Sequence, residues 1–101
     1  MKLGIWKIAL PVEAGVQSFE LKGFNRVLSV ENQTDKMVLY YLADMESEEP
    51  SLVQFLTAGT GHDISLIGEK EKMWSFLGTV VTMSGVFVWH VFYRVAELSK
   101  V

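Results

Sequence analysis

Gly59-Thr60-Gly61-His62 is the stretch of this chain best suited to hold a ligand. Glycines on either side of a hydroxyl let a small molecule approach backbone N–H groups, while Thr60 and His62 add side-chain hydrogen bonds to a phosphate-like anion. The spacing matches neither G-x-x-x-x-G-K-[ST] nor G-x-G-x-x-G, and no helix pattern follows it. Taken alone, a tight structural turn is the commoner use of such a glycine pair. A second constellation lies in Val88-Trp89-His90-Val91-Phe92-Tyr93-Arg94. Strand alternation puts Trp89, Val91 and Tyr93 on one face and Val88, His90, Phe92 and Arg94 on the other. A histidine and an arginine sharing a face beside aromatics can line an anion pocket in which a ring stacks. The competing reading is a two-faced central strand with His90 hydrogen-bonded in the core. The expected ligand-binding set is therefore Gly59, Thr60, Gly61, His62, His90 and Arg94.

Catalysis and metal binding find less support. His62-Asp63 has the residue types of a general base and its orienting carboxylate, but adjacent side chains seldom converge and no Ser or Cys nucleophile elbow accompanies them. The chain has two histidines and no cysteine. Without His-x-Glu or His-x-x-x-His spacing, a zinc site is not expected, and thiolate chemistry and disulfides are impossible. No catalytic residue, metal or cofactor is assigned.

The elements that must position these residues read as strands. Apolar and polar residues alternate over 5–10 and 17–22, the latter setting Phe19 and Leu21 against Ser18, Glu20 and Lys22. Asn32-Gln33-Thr34-Asp35 is a cluster of turn formers that joins strands 24–31 and 37–43 into a hairpin. In the second of these, Met37, Leu39 and Tyr41 point one way and Val38, Tyr40 and Leu42 the other, which marks a central strand. A charge-dense connection over 44–51 leads to strand 52–58, which ends at the glycine loop. Residues 64–67 extend the sheet or cover its open end, and 68–72 form an exposed turn. From residue 73 to 93 there is no Asp, Glu, Lys or Arg. As a helix this run would reach across a bilayer, with Trp74 and Tyr93 as interfacial aromatics. Ser75, Gly78, Thr79, Thr82, Ser84 and Gly85 dilute it, and its valines suit a sheet, so the favoured reading is a hairpin of strands 74–81 and 86–95 across a turn at 82–85. The expected fold is all-β, about seven short antiparallel strands in a small sandwich or barrel.

At 101 residues the chain is a single domain, 1–101. Its net charge of −3 and scattered basic residues argue against nucleic-acid binding through phosphate neutralisation. No signal peptide is read at the amino terminus, where Lys7 interrupts a short apolar stretch. Half of the residues, 50%, are hydrophobic, a high share for a small monomer, so a homodimer or higher homo-oligomer is expected.

Taken in order, Ile5-Trp6-Lys7, the strand from Phe24 to Val30, Leu42-Ala43-Asp44, Gly59-Thr60-Gly61-His62, Leu77-Gly78-Thr79-Val80 and Phe87-Val88-Trp89-His90-Val91-Phe92 resemble a family of short, uncharacterised tailed-bacteriophage proteins. The resemblance covers roughly residues 5–93. The departures are Asp63, where many relatives have proline, and the tail from Arg94 onward, where relatives tend to stop. What it implies is phage origin, a soluble β-rich fold and residence in the infected bacterial cytoplasm; it carries over no catalytic residue. The expected function is a non-enzymatic binding protein that counters antiphage defence by sequestering a small anionic, nucleotide-like signal or by occluding a host defence protein. A virion structural protein and a nucleotide hydrolase using His62 are the alternatives.

Overall fold

The computed structural model describes residues 1–68 and 73–97. In chain order the strands are β1 (Leu3–Leu10), β2 (Gly15–Lys22), β3 (Phe24–Gln33), β4 (Lys36–Asp44), β5 (Pro50–Gly59), β6 (Ser75–Thr82) and β7 (Phe87–Glu97). They pair antiparallel into two sheets, β1-β4-β3 and β2-β5-β7-β6. The sheets pack face to face as an open sandwich, and neither closes into a barrel. Period-two patterning is what puts the apolar residues between them. Met37, Leu39 and Tyr41 of β4 face Val53 and Phe55 of β5 and Val91 of β7 in one buried cluster. Burying a side chain of this kind contributes about 1.5–3 kcal/mol. Phe19 meets Phe55 edge to face at 5.9 Å between centroids, a geometry that suits the ring quadrupoles. β4 is central, as its double apolar pattern requires, and its outward Val38 is buried as well.

Turn chemistry fixes the corners. Thr34 and Asp35 carry φ of 55° and 59°, so a two-residue loop closes the β3–β4 hairpin at the Gln33–Lys36 pair. This is the primed turn whose twist matches its strands. Gly23, at φ +64°, ties the β2–β3 corner to the adjoining β4–β5 connection. Its N–H donates to the Glu49 carbonyl at 2.9 Å and its own carbonyl accepts from the Asp44 N–H at 2.7 Å. Along the other side of the sandwich β3 lies against β6, and Asn32 Nδ2 donates to the Val81 carbonyl at 2.6 Å.

Two expectations need correction. Residues 64–67 do not extend a sheet: Ser65–Gly68 is a 3-10 turn. Asp63 Oδ1 starts it by accepting from the Ser65 N–H at 2.9 Å and the Ser65 hydroxyl at 2.6 Å, a local bond that competes with strand pairing. The last hairpin turns at 83–86 rather than 82–85, because Thr82 still pairs with Phe87. Met83, Ser84 and Gly85 all take positive φ there, and Asp35 Oδ1 steadies them by accepting from the Met83 N–H at 3.0 Å. The run from 73 to 93 is thus β6, a turn and most of β7. Among the described residues no helix is long and apolar enough to cross a membrane. Residues 69–72 of the expected exposed turn, and the tail beyond residue 97, lie outside the described residues.

Candidate functional site

β5 ends at Gly59, and the next three residues fold back on it. His62 N–H donates to the Gly59 carbonyl at 3.0 Å, which closes a tight turn, and Gly59 N–H donates to His62 Nδ1 at 3.0 Å. A neutral imidazole that accepts at Nδ1 carries its proton on Nε2. The ring lies so close that a Cβ at Gly59 would come within 2.9 Å of its Cε1 atom, so any larger residue there would displace the imidazole from this position. Gly61 takes φ +89° with open space around it, and its N–H has no acceptor among the described residues. The turn is anchored to β7: Thr60 N–H donates to the Val88 carbonyl at 3.3 Å, and the Thr60 hydroxyl meets His90 Nε2 at 2.8 Å.

His90 stands on the outward face of β7, half-buried, directly across from Thr79 of β6. Its Nδ1 lies 3.1 Å from the Thr79 hydroxyl, so both ring nitrogens are engaged and the imidazole joins β6, β7 and the turn. On the inward face His62 meets Trp89 edge to face at 6.4 Å, and Trp89 Nε1 donates to the Thr82 hydroxyl at 3.1 Å. The turn therefore stands between two shallow concavities. The outer one, about 270 Å³, lies among Ile64, Phe76, His90 and Phe92. The inner one, about 350 Å³, lies among Val86, Phe87, Val88 and Trp89. Gly59, Thr60 and His62 border both.

Five of the six expected residues come together: Gly59, Thr60, Gly61, His62 and His90 all border the outer concavity. Arg94 does not join them. It shares the outward face with His90, but Phe92 stands between them, locked edge to face with Phe76 at 5.4 Å. Arg94 instead donates to Gln54 Oε1, Gln54 Nε2 donates to the Ser18 hydroxyl at 3.2 Å, and the guanidinium lies 5.7 Å from the centre of the Trp74 ring. A cross-strand register that pairs Ser18 with Gln54 and Gln54 with Arg94 dictates this row. Asp63 is held below the usual carboxylate range by the Ser65 hydroxyl and then by the Ser65 N–H, so its charge is directed at Ser65 rather than at the His62 ring. Among the described residues no three His, Asp or Glu side chains gather as a metal site would need, and no Lys or Arg borders either concavity.

Phe76 and Thr79 escaped the sequence reading for a definable reason. Closing the hairpin at residues 81 and 86 sets Thr79 opposite Val88, whereas the observed closure at Thr82 and Phe87 sets it opposite His90. Phe76 is brought beside Phe92 only through a bulge between Phe76 and Gly78.

The sequence matches a family described as a domain of unknown function, DUF7352, over residues 1–100. The chain belongs to the DUF7352 family. The DUF7352 match runs past Tyr93 and includes the carboxyl-terminal segment, where the resemblance noted above was expected to end. No curated protein and no solved structure matches the chain.

Proposed function

We propose that this protein is a non-enzymatic binding protein that takes a small planar ligand with a polar, nucleotide-like edge into the outer concavity beside Gly59-Thr60-Gly61-His62. The observation that carries this reading is the pairing of two phenyl rings with hydrogen-bonding groups around one opening. Phe76, 58% exposed, and Phe92 offer ring faces and edges, while the Gly61 N–H and the His62 Nε2–H have no protein partner among the described residues. Apolar walls with a few converging polar groups are the general form of a small-molecule site. With no Lys or Arg at the rim among the described residues, an anionic group on the ligand stays at the mouth in water and hydrogen-bonds to the Gly61 and His62 donors. The ring supplies most of the contact. Resemblance to short tailed-phage proteins suggests the setting: withholding such a signal from a defence system in the cytoplasm of an infected bacterium.

The test is thermal unfolding with a panel of nucleobases, nucleosides and nucleotides. A true ligand at 100 times its Kd stabilises the fold by about 2.7 kcal/mol. Phe76→Ala and His62→Ala should each remove most of that shift, and Arg94→Ala should retain it. The absence of a shift with every member of the panel would sink the reading. Occlusion of a host protein is the second reading, favoured by the apolar rim at the β6–β7 turn, where Met83 is 54% and Val86 71% exposed. It predicts that Met83→Glu with Val86→Glu abolishes inhibition of the host target without touching small-ligand binding.

A further inference from the structure

Two open sheets leave unpaired backbone along β1 and β3 in one and along β2 and β6 in the other. Such edges are templates for another chain unless something blunts them. Three of these edges are blunted. β3 carries register shifts between Phe24 and Arg26 and between Val27 and Ser29, and it lies against β6. β6 has its own irregularity before Gly78, and its Val81 carbonyl is taken by Asn32. β2 presents Ser18, Glu20 and Lys22 to solvent, with Lys22 paired to Glu48 at 3.1 Å.

β1 carries the least of this protection. Its 8 residues pair with β4 in unbroken register, without a proline or a bulge, and Lys7 is their only charge. Apolar side chains are exposed on both of its faces: Leu3 at 49% and Ile5 at 66% outward, Trp6 at 50% toward the inter-sheet side. We propose that β1 is an interface for a second copy of this chain, joined antiparallel about a two-fold axis at Ile5, so that the β1-β4-β3 sheets of both copies form one continuous sheet. The strand is complementary to itself in that arrangement. Lys7 falls opposite Leu3 of the other copy rather than opposite its own equivalent. Its ammonium already donates to Gln33 Oε1 at 3.3 Å and so calls for no acidic partner strand. Leu3 and Ile5 of the two copies cover each other on the outward face. On the other face Trp6 falls opposite Gly4, where the half-exposed Met45 side chain covers the missing Cβ and gives the indole a soft apolar seat.

The native chain has no cysteine, which makes single-cysteine cross-linking clean. The purified protein at micromolar concentration should scatter light with twice the 11.4 kDa mass of one chain. A short bifunctional thiol reagent should cross-link Ile5→Cys in high yield, because residues facing each other across an antiparallel pair have Cβ atoms about 4.5–5.5 Å apart, and should leave Ser18→Cys on the β2 edge uncoupled. Ile5→Lys should weaken self-association about tenfold or more, with an unchanged far-ultraviolet spectrum, since like charges then meet at the axis. A single-chain mass for the unmodified protein overturns the proposal. So does a dimer that survives Ile5→Lys and cross-links through Ser18→Cys instead.

Discussion

Two glycines with left-handed backbone angles do different jobs, and substitution should tell them apart. At Gly61, φ +89°, an added methyl meets open space, so Gly61→Ala carries only the backbone penalty, about 1 kcal/mol. At Gly23, φ +64°, the methyl runs into the Asp44 carbonyl oxygen at a corner where the same residue makes two backbone hydrogen bonds. Gly23→Ala should therefore lose about 3 kcal/mol or more, in the range of severe substitutions. Parallel urea titrations of the two variants decide it, and equal losses would refute the distinction. The sequence marks both glycines as turn residues with equal force, because the feature that separates them is a neighbour more than twenty positions away. The same limit explains Arg94. Its type and strand face were legible, but its commitment to Gln54 and Trp74 depends on the β5–β7 register.

Among the elements, turns are where local chemistry and observed geometry disagree most usefully. Thr34 occupies a φ of 55° that a β-branched residue tolerates poorly, in a two-residue hairpin loop that favours Asn or Gly. Thr34→Asn should raise stability by about 0.5–1 kcal/mol, judged from the relief of αL strain, and a lower thermal midpoint than the parent would contradict this. Asp35 is less replaceable, because its carboxylate also accepts from Met83 N–H in the β6–β7 turn. Strands were the readable part. Alternation over 17–22 and the doubly apolar 37–43 fixed which faces are buried, because a period of two leaves one choice per residue once the core side is known. Strand ends were less readable, and the cost fell on the site. One residue of difference at each arm of the β6–β7 turn changes which side chain stands across from His90, and Thr79 was missed for that reason.

At the scale of the whole molecule, part of the stability at alkaline pH should come from the core. Burial raises the Tyr41 phenol above its ordinary value of 10.0 by disfavouring the phenolate. The unfolded chain then loses this proton first, so the contribution of Tyr41 is fully present below pH 10 and disappears as the pH climbs through the raised value. Tyr41→Phe should flatten that part of the stability profile in denaturant titrations from pH 8 to 11, and an unchanged slope would argue against it. The shape of the protein bears on everything bound to it. Its Cα trace measures 42 × 34 × 15 Å, a slab whose interior is one layer of interleaved side chains. Trp89 and His90 are neighbours on β7 that point to opposite faces of one sheet, Trp89 toward the core and His90 away from it, so the side chains that border the inner and the outer concavity are one peptide unit apart. A ligand that shifts His90 in the outer concavity therefore moves a strand whose next side chain packs against the core, with no further layer between the site and the interior. The protein has ample area for recognition and almost no depth for insulation.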